Sequence, residues 1–207
     1  MGRYTESVCK LCRREGVKLM LKGDRCFTTK CAIEKRNFAP GQHGKTSRKL
    51  SDYAVRLREK QKARRFYGMS EGQFHDFFVK ASKRQGVLGV NFLQLLESRL
   101  DNVIYRSGLA ESRAEARQMI GHGHFFVNKR KVDIASFILK NNDVVSLRSG
   151  AHKKVLIQLE KIKDRSAPKW VNLNIDQKTL TFLNPPLRTE IEVPVQEQLI
   201  VEHYSKS

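Results

Sequence analysis

The stretch LQLLESRLDNVIYRSGLAESRAEARQMIGHGHFFVNKRKV, residues 93–132, continued by NNDVVSL at 141–147, decides how this chain is read. Leu93, Leu96, Leu100, Val103 and Ile104 recur at helical spacing and predict a helix with one apolar face. Arg99 and Arg106, seven apart, share another stripe, and Gly108 ends the helix. Ser112 followed by Glu115 is a capping-box pattern and opens a second helix. There Ala114, Ala116, Met119 and Ile120 supply packing positions, while Arg113 and Arg117, four apart, stand side by side. Gly121 and Gly123 stop it. A strand at 125–127, a tight turn at Asn128-Lys129 and a return over 130–132 follow; Asn141-Asn142-Asp143 then turns the chain into a strand at 144–147. Two helices and a small sheet result. The arginines of the second helix, with Lys129, Arg130 and Lys131 at the hairpin tip, can present cations to phosphates, and guanidinium groups match phosphate geometry. On charge alone, a helical hairpin whose charges merely face water accounts for these residues equally well.

Charge narrows the choice. Forty Lys and Arg against 21 Asp and Glu in 207 residues give a net +19, the mark of a polyanion binder. Residues 1–65 hold 19 basic against 6 acidic side chains, whereas residues 166–207 hold 4 against 5. The N-terminal third therefore supplies most of the attraction, and the near-neutral C-terminal segment suits a protein partner. Membrane is the competing polyanion, but there is no apolar run long enough to span a bilayer, no signal peptide and no lipidation motif. An intracellular protein with no membrane partner is expected.

All four cysteines, Cys9, Cys12, Cys26 and Cys31, lie in the first 31 residues as C-x2-C and C-x4-C. Two close pairs bring four thiolates to one ion and can close a segment too short to bury its own core. One structural zinc is the leading reading. Free thiols, a disulfide or an iron–sulfur cluster are the alternatives, and four thiolates leave no open position for catalysis.

Basic residues surround the cysteines, among them Arg3, Arg13, Arg14 and Lys22. The turn-rich PGQHG at 40–44 contributes Gln42 and His43, followed by Lys45, Arg48 and Lys49. Ser51 reads as the N-cap of a long helix carrying Tyr53, Arg56, Arg58, Lys60, Lys62 and Arg65, which Gly68 ends. A further helix starts near Ser70 and ends near Gly86; its Phe74, Phe77 and Phe78 are spaced for core packing. After Leu147, residues 151–165 read as a basic helix. Strands are predicted at 170–175 and 179–183, and short strand-like ends at 190–195 and 199–204. The fold class is α+β. It comprises a basic arm with a four-cysteine zinc knuckle at 1–45 and a helical domain at 46–92, completed by 189–207. The remaining domain, 93–188, has its core motif at 97–147 and a small, mainly antiparallel sheet.

RLDNV at 99–103, SRAEAR at 112–117, GHGH at 121–124 and VN at 127–128 resemble the alpha-L RNA-binding motif shared by ribosomal, RNA-modifying and tRNA-charging proteins. Lys129 departs from it, since the family usually has glycine there. That turn favours positive φ at both central residues, so lysine implies a different or strained turn. The cysteines, RREG at 13–16, PGQHG at 40–44, SDYAVRLREKQK at 51–62 and LIVEHY at 199–204 extend the likeness end to end. Together they resemble the cysteine-bearing form of the bacterial fourth small-subunit ribosomal protein family. The resemblance implies a cytoplasmic protein of the small ribosomal subunit that binds the five-prime domain of its RNA early in assembly. It also implies contact with the fifth small-subunit protein and other subunit proteins, and an influence on decoding accuracy. Messenger RNA where it enters the subunit is a further candidate partner. The RNA-facing set would then include Arg99 and His122, and Glu190, Glu197 and Glu202 would meet protein.

Two rivals compete. An RNA-modifying enzyme could carry the same motif, but no glycine-rich cofactor loop, Ser/His/Asp set or carboxylate pair stands out. His43, His122 and His124 are most simply packing or phosphate neighbours. A DNA-binding zinc protein would need a spacing that places a helix in a groove, which this one lacks. A binder without turnover is the leading reading.

Overall fold

The computed structural model describes residues 4–46, 49–148 and 168–205. The chain divides into two compact units: one takes it to Phe92 and resumes at Glu192, and the other is Leu93–Ile191. Among the described residues no helix is long and apolar enough to cross a membrane. The basic helix predicted at 151–165 lies outside the described residues.

In the first unit, α1 (Cys9–Glu15) ends at Gly16, whose φ of +66° is the left-handed cap. A 3-10 turn, Gly23–Phe27, and the single turn α2 (Ala32–Lys35) follow. Helix α3 (Asp52–Phe66) starts where the Ser51 hydroxyl accepts from the Ala54 N–H, and α4 (Glu71–Ser82) where Ser70 accepts from Gln73. Helix α5 (Leu88–Glu97) begins in this unit. Its Phe92 lies edge-on to Phe74 and Phe78, at 5.0 and 5.6 Å between centroids, an arrangement worth about 1 kcal/mol per pair beyond burial.

Helix α8, Glu197–Ser205, packs on α3 and adds Ile200 to the core. A strand-like end was predicted for 199–204. Helix wins because Ile200 and His203, three apart, both turn inward, which no strand allows. Gly89 lets this helix approach α5: a Cβ there would stand 2.8 Å from Glu197 Cγ.

In the second unit, α6 (Leu100–Arg106) and α7 (Arg113–Gly121) cover a fully antiparallel sheet. Its strands are β1 (Phe125–Val127), β2 (Arg130–Lys131), β3 (Asp143–Leu147), β4 (Val171–Asn174) and β5 (Thr179–Phe182), in the order β2-β1-β3-β5-β4. Phe125, Val127, Val145, Leu180, Phe182 and Val171 alternate inward and meet Leu100, Val103, Ile104, Ala116 and Ile120 in one core.

The single helix predicted across 93–106 is in fact two. The chain breaks at Ser98-Arg99 because those residues pair with the 137–139 segment. The Leu139 N–H donates to Ser98 O at 2.9 Å, and the Leu100 N–H to Phe137 O at 2.8 Å. Helical periodicity survives the break, which is why the sequence conceals it.

Candidate nucleic-acid interface

The break at Ser98-Arg99 places Asp101 in the first turn of α6, a favourable end for a carboxylate. Asp101 is 1% exposed. Its two oxygens accept from Arg99 Nε and Nη2 at 3.0 and 2.7 Å, and one also accepts from Arg117 Nε at 2.7 Å. Burial pushes this carboxyl up, but the Arg99 and Arg117 guanidinium groups outweigh burial and hold it below the usual carboxylate range. A second buried carboxylate, Glu97, accepts from Asn102 Nδ2 at 2.5 Å and from Arg106 Nη2 at 3.0 Å. Arg113 Nε donates to Asn102 Oδ1 at 2.8 Å, and its guanidinium lies 4.3 Å over the Tyr105 ring.

This network corrects part of the sequence reading. Arg99, 2% exposed, and Arg113, 4% exposed, are interior residues, so neither stands on an RNA-facing surface. Arg113 ties α7 to α6 through Asn102, and Arg99 holds Asp101 at the start of α6. Arg117 is the member that reaches the surface while Asp101 fixes its Nε. Ser112 does cap α7, accepting from the Glu115 N–H at 3.2 Å, but the Glu115 carboxylate returns to the Glu111 N–H at 2.9 Å, one residue earlier than a capping box requires.

Beyond α7, His122 is exposed and 6.0 Å from His124. Lys129, Arg130 and Lys131 are exposed at the β1–β2 tip. Asn128 and Lys129 have φ of +48° and +66°, the ordinary geometry of a two-residue hairpin turn. Lysine therefore does not change the turn type; it occupies a left-handed position that glycine would fill without strain. Asn128 ties the tip to β3, donating to Asp143 Oδ1 at 2.8 Å and accepting from the Val144 N–H at 3.0 Å.

In the first unit the basic residues separate into structural and surface groups. Lys60 is buried and pairs with Glu71 at 2.6 Å, which removes it from the RNA-facing set. Arg58 and Arg65 both engage the Glu15 carboxylate, whose pKa is raised by burial in spite of them. Lys62 pairs with Glu59 at 2.7 Å, and Arg56 lies 3.8 Å from Glu202. Arg13 Nε donates to Phe38 O at 3.0 Å, and its guanidinium lies 5.0 Å over the Phe38 ring. Arg14, Lys22, Gln42, His43, Lys45, Lys49, Ser51 and Tyr53 are exposed. Arg3 and Arg48 lie outside the described residues. Of the acidic residues assigned to protein contact, Glu190 accepts from the Leu187 N–H at 2.9 Å, Glu197 lies over Gly89, and all three are half-buried.

None of the four cysteines is in a disulfide. Cys12, Cys26 and Cys31 are buried, and Cys9 is half-buried. All four line one small cavity of about 20 Å³. Burial pushes the Cys12 thiol up, and the other three cysteines add to that. Cys26 Sγ accepts from the Lys22 N–H at 3.3 Å. Among the described residues, no three His, Cys, Asp or Glu side chains already stand as a coordinating set.

Sequence reasoning did not single out Glu97, Asp101 or Asn102, the acceptors that hold the arginines. An acid two residues after Arg99 and sixteen before Arg117 was the available signal.

Residues 3–97 match the family described as ribosomal protein S4/S9 N-terminal domain, and residues 98–145 match the S4 domain. The chain is 54% identical to a protein of Pelotomaculum thermopropionicum named small ribosomal subunit protein uS4, over the full length of both. It is 52% identical to the protein of that name from Acetivibrio thermocellus, and 52% to small ribosomal subunit protein uS4A of Clostridium perfringens, again with complete coverage of each.

Proposed function

The chain belongs to the family of the small ribosomal subunit protein uS4, and from that premise we propose that it is a structural constituent of the bacterial small ribosomal subunit, in the cytoplasm, binding ribosomal RNA without turnover. It is not an enzyme. The observation that carries the reading is that identity above one half runs through both units. Physically, exposed cations neutralise phosphates and release counterions, and a rigid support makes the protein favour one RNA arrangement over many. In the second unit the Asp101 and Glu97 network supplies that rigidity, and Arg117 with the hairpin tip supplies the cations.

The finer assignment follows the same reading. The RNA is the five-prime domain of small-subunit RNA, bound early in assembly. The C-terminal segment, with Glu190, Glu197 and Glu202, meets the fifth small-subunit protein, through which decoding accuracy is influenced. Other subunit proteins, and messenger RNA where it enters the subunit, complete the partners. Mixing the protein with a five-prime-domain transcript should protect nucleotides around a helical junction at one protein per RNA. No protection at stoichiometric protein, or modified nucleosides at substoichiometric protein, would reverse the reading.

A structural zinc ion held by Cys9, Cys12, Cys26 and Cys31 belongs to the same reading. Support comes from the thiol-only donor set around one cavity and from the sparse apolar packing of this segment, where Leu19 is the one fully buried non-cysteine hydrophobic residue before Ala63 among the described residues. Zinc would supply a tetrahedral cross-link between the two cysteine pairs. Protein purified under reducing conditions should carry about one zinc per chain; iron with sulfide, or no metal, would overturn this.

A further inference from the structure

Near the cysteines, α1, the 3-10 turn and α2 border an open cleft of about 320 Å³. Lys10, Arg13, Arg25, Lys30, Lys35 and Arg36 line it, together with Ser7, Cys9 and Ala32, and no carboxylate does. The volume falls in the range of small-molecule sites, roughly 300–1,000 Å³. Six like charges around one cleft repel one another, and elsewhere in this unit the basic side chains are relieved by acids: Arg58 and Arg65 by Glu15, Lys60 by Glu71, Lys62 by Glu59, Arg56 by Glu202. Arg13 is anchored by the Phe38 carbonyl and ring, so the cleft has one fixed guanidinium wall.

We propose that this cleft binds a compact oligophosphate, three or more phosphate groups linked in a row, as carried by inorganic polyphosphate or by the phosphate tail of a nucleoside triphosphate. The chemistry is charge density. A nucleic-acid strand presents one charge per about 3.4 Å of helix axis. A linked triphosphate carries more charge per unit length than that strand, and it is small enough for a cleft of this volume, which a duplex is too wide to enter. Arginine and lysine side chains from all three bordering elements suit a ligand whose oxygens face several directions.

Calorimetric titration of the full chain, at fixed salt, with inorganic triphosphate, adenosine triphosphate, adenosine monophosphate and orthophosphate tests this. Triphosphate should bind at one per chain and at least ten-fold more tightly than orthophosphate or the monophosphate. Equal affinity for inorganic triphosphate and adenosine triphosphate would identify the phosphates as the whole determinant; tighter binding of adenosine triphosphate would assign a nucleotide as the ligand. The exposed pair Lys30→Ala with Arg36→Ala should weaken triphosphate at least ten-fold, whereas Lys129→Ala with Arg130→Ala should not. Circular dichroism, with the zinc content of each variant, separates loss of the site from loss of the fold. If triphosphate binds no more tightly than orthophosphate, or several bind per chain with equal loss from both double variants, the chain is a general polycation and the assignment is overturned. RNA protection, measured separately, is unaffected by either result.

Discussion

Arg117 Nε meets Asp101 Oδ2 at 2.7 Å, on the same buried carboxylate that Arg99 grips through two nitrogens. One acid thus serves two arginines of opposite fate: Arg99 is interior, and Arg117 is partly at the surface. The network therefore connects the stability of the second unit to the placement of a cation.

Asp101→Asn removes the charge that both arginines neutralise and leaves the Arg99 guanidinium buried beside an amide. Loss of one partner from a buried pair costs about 3–5 kcal/mol. Urea unfolding at neutral pH, followed by a probe in the second unit, should show a fall of that order. A loss under about 1 kcal/mol would mean that the pair barely repays its desolvation.

The same carboxyl gives a pH dependence of known sign. Its folded pKa is lowered, so its contribution is complete above the unfolded value of about 3.9 and is lost as pH falls through the folded value. The stability gap between the parent chain and Asp101→Asn should accordingly be constant near neutrality and close in acid. Glu15 acts oppositely, because its folded pKa is raised: its contribution is complete below the unfolded value and fades as pH rises through the folded one. Glu15→Gln should therefore lose less at pH 7 than the two arginines around it suggest. Unfolding curves from pH 3 to pH 7 read both effects.

Lys129 at φ +66° is a lysine in a glycine position. Lys129→Gly should relieve about 1 kcal/mol of left-handed strain, less what glycine loses in unfolded-chain entropy, and raise the melting temperature slightly. It should also weaken RNA binding, by removing a tip cation. A variant that neither gains stability nor loses affinity would sever the turn from both roles.

Changing Lys129, Arg130 and Lys131 together to alanine should lower the slope of log affinity against log salt by about two to three units, one per lost phosphate contact. Arg99 and Arg113 should behave differently, since their replacement would disturb the fold before the salt slope. Filter binding from low to high salt, beside thermal melts, distinguishes the two classes.

Local signals carried the elements well. Ser51, Ser70 and Ser112 each accept a backbone N–H at the predicted helix start, and Phe74, Phe77 and Phe78 are buried as their spacing implied. What the sequence concealed depends on distant partners. The interruption at Ser98-Arg99 is imposed by 137–139, some forty residues away. Arg99, Arg113 and Lys60 look like surface cations until Asp101, Asn102 and Glu71 are brought against them. The α8 sequence EQLIVEHYS contains an apolar run that fits either period, and only packing on α3 decides it. Grouping by charge likewise missed the cleft near the cysteines, because cations spread in sequence from Lys10 to Arg36 do not reveal that they line one cleft.

Helix α8 follows the whole of the second unit in sequence yet belongs to the core of the first. During synthesis the chain therefore cannot close its units in the order in which it makes them. Helices α3, α4 and the start of α5 must wait, with Phe74, Phe78 and Ala63 lacking their full cover, until residues 197–205 have been made. The second unit has all its residues by Ile191 and can finish first. A chain cut short after 191 would display a closed sheet domain attached to an open helical one, and exposed aromatic surface would mark it for degradation.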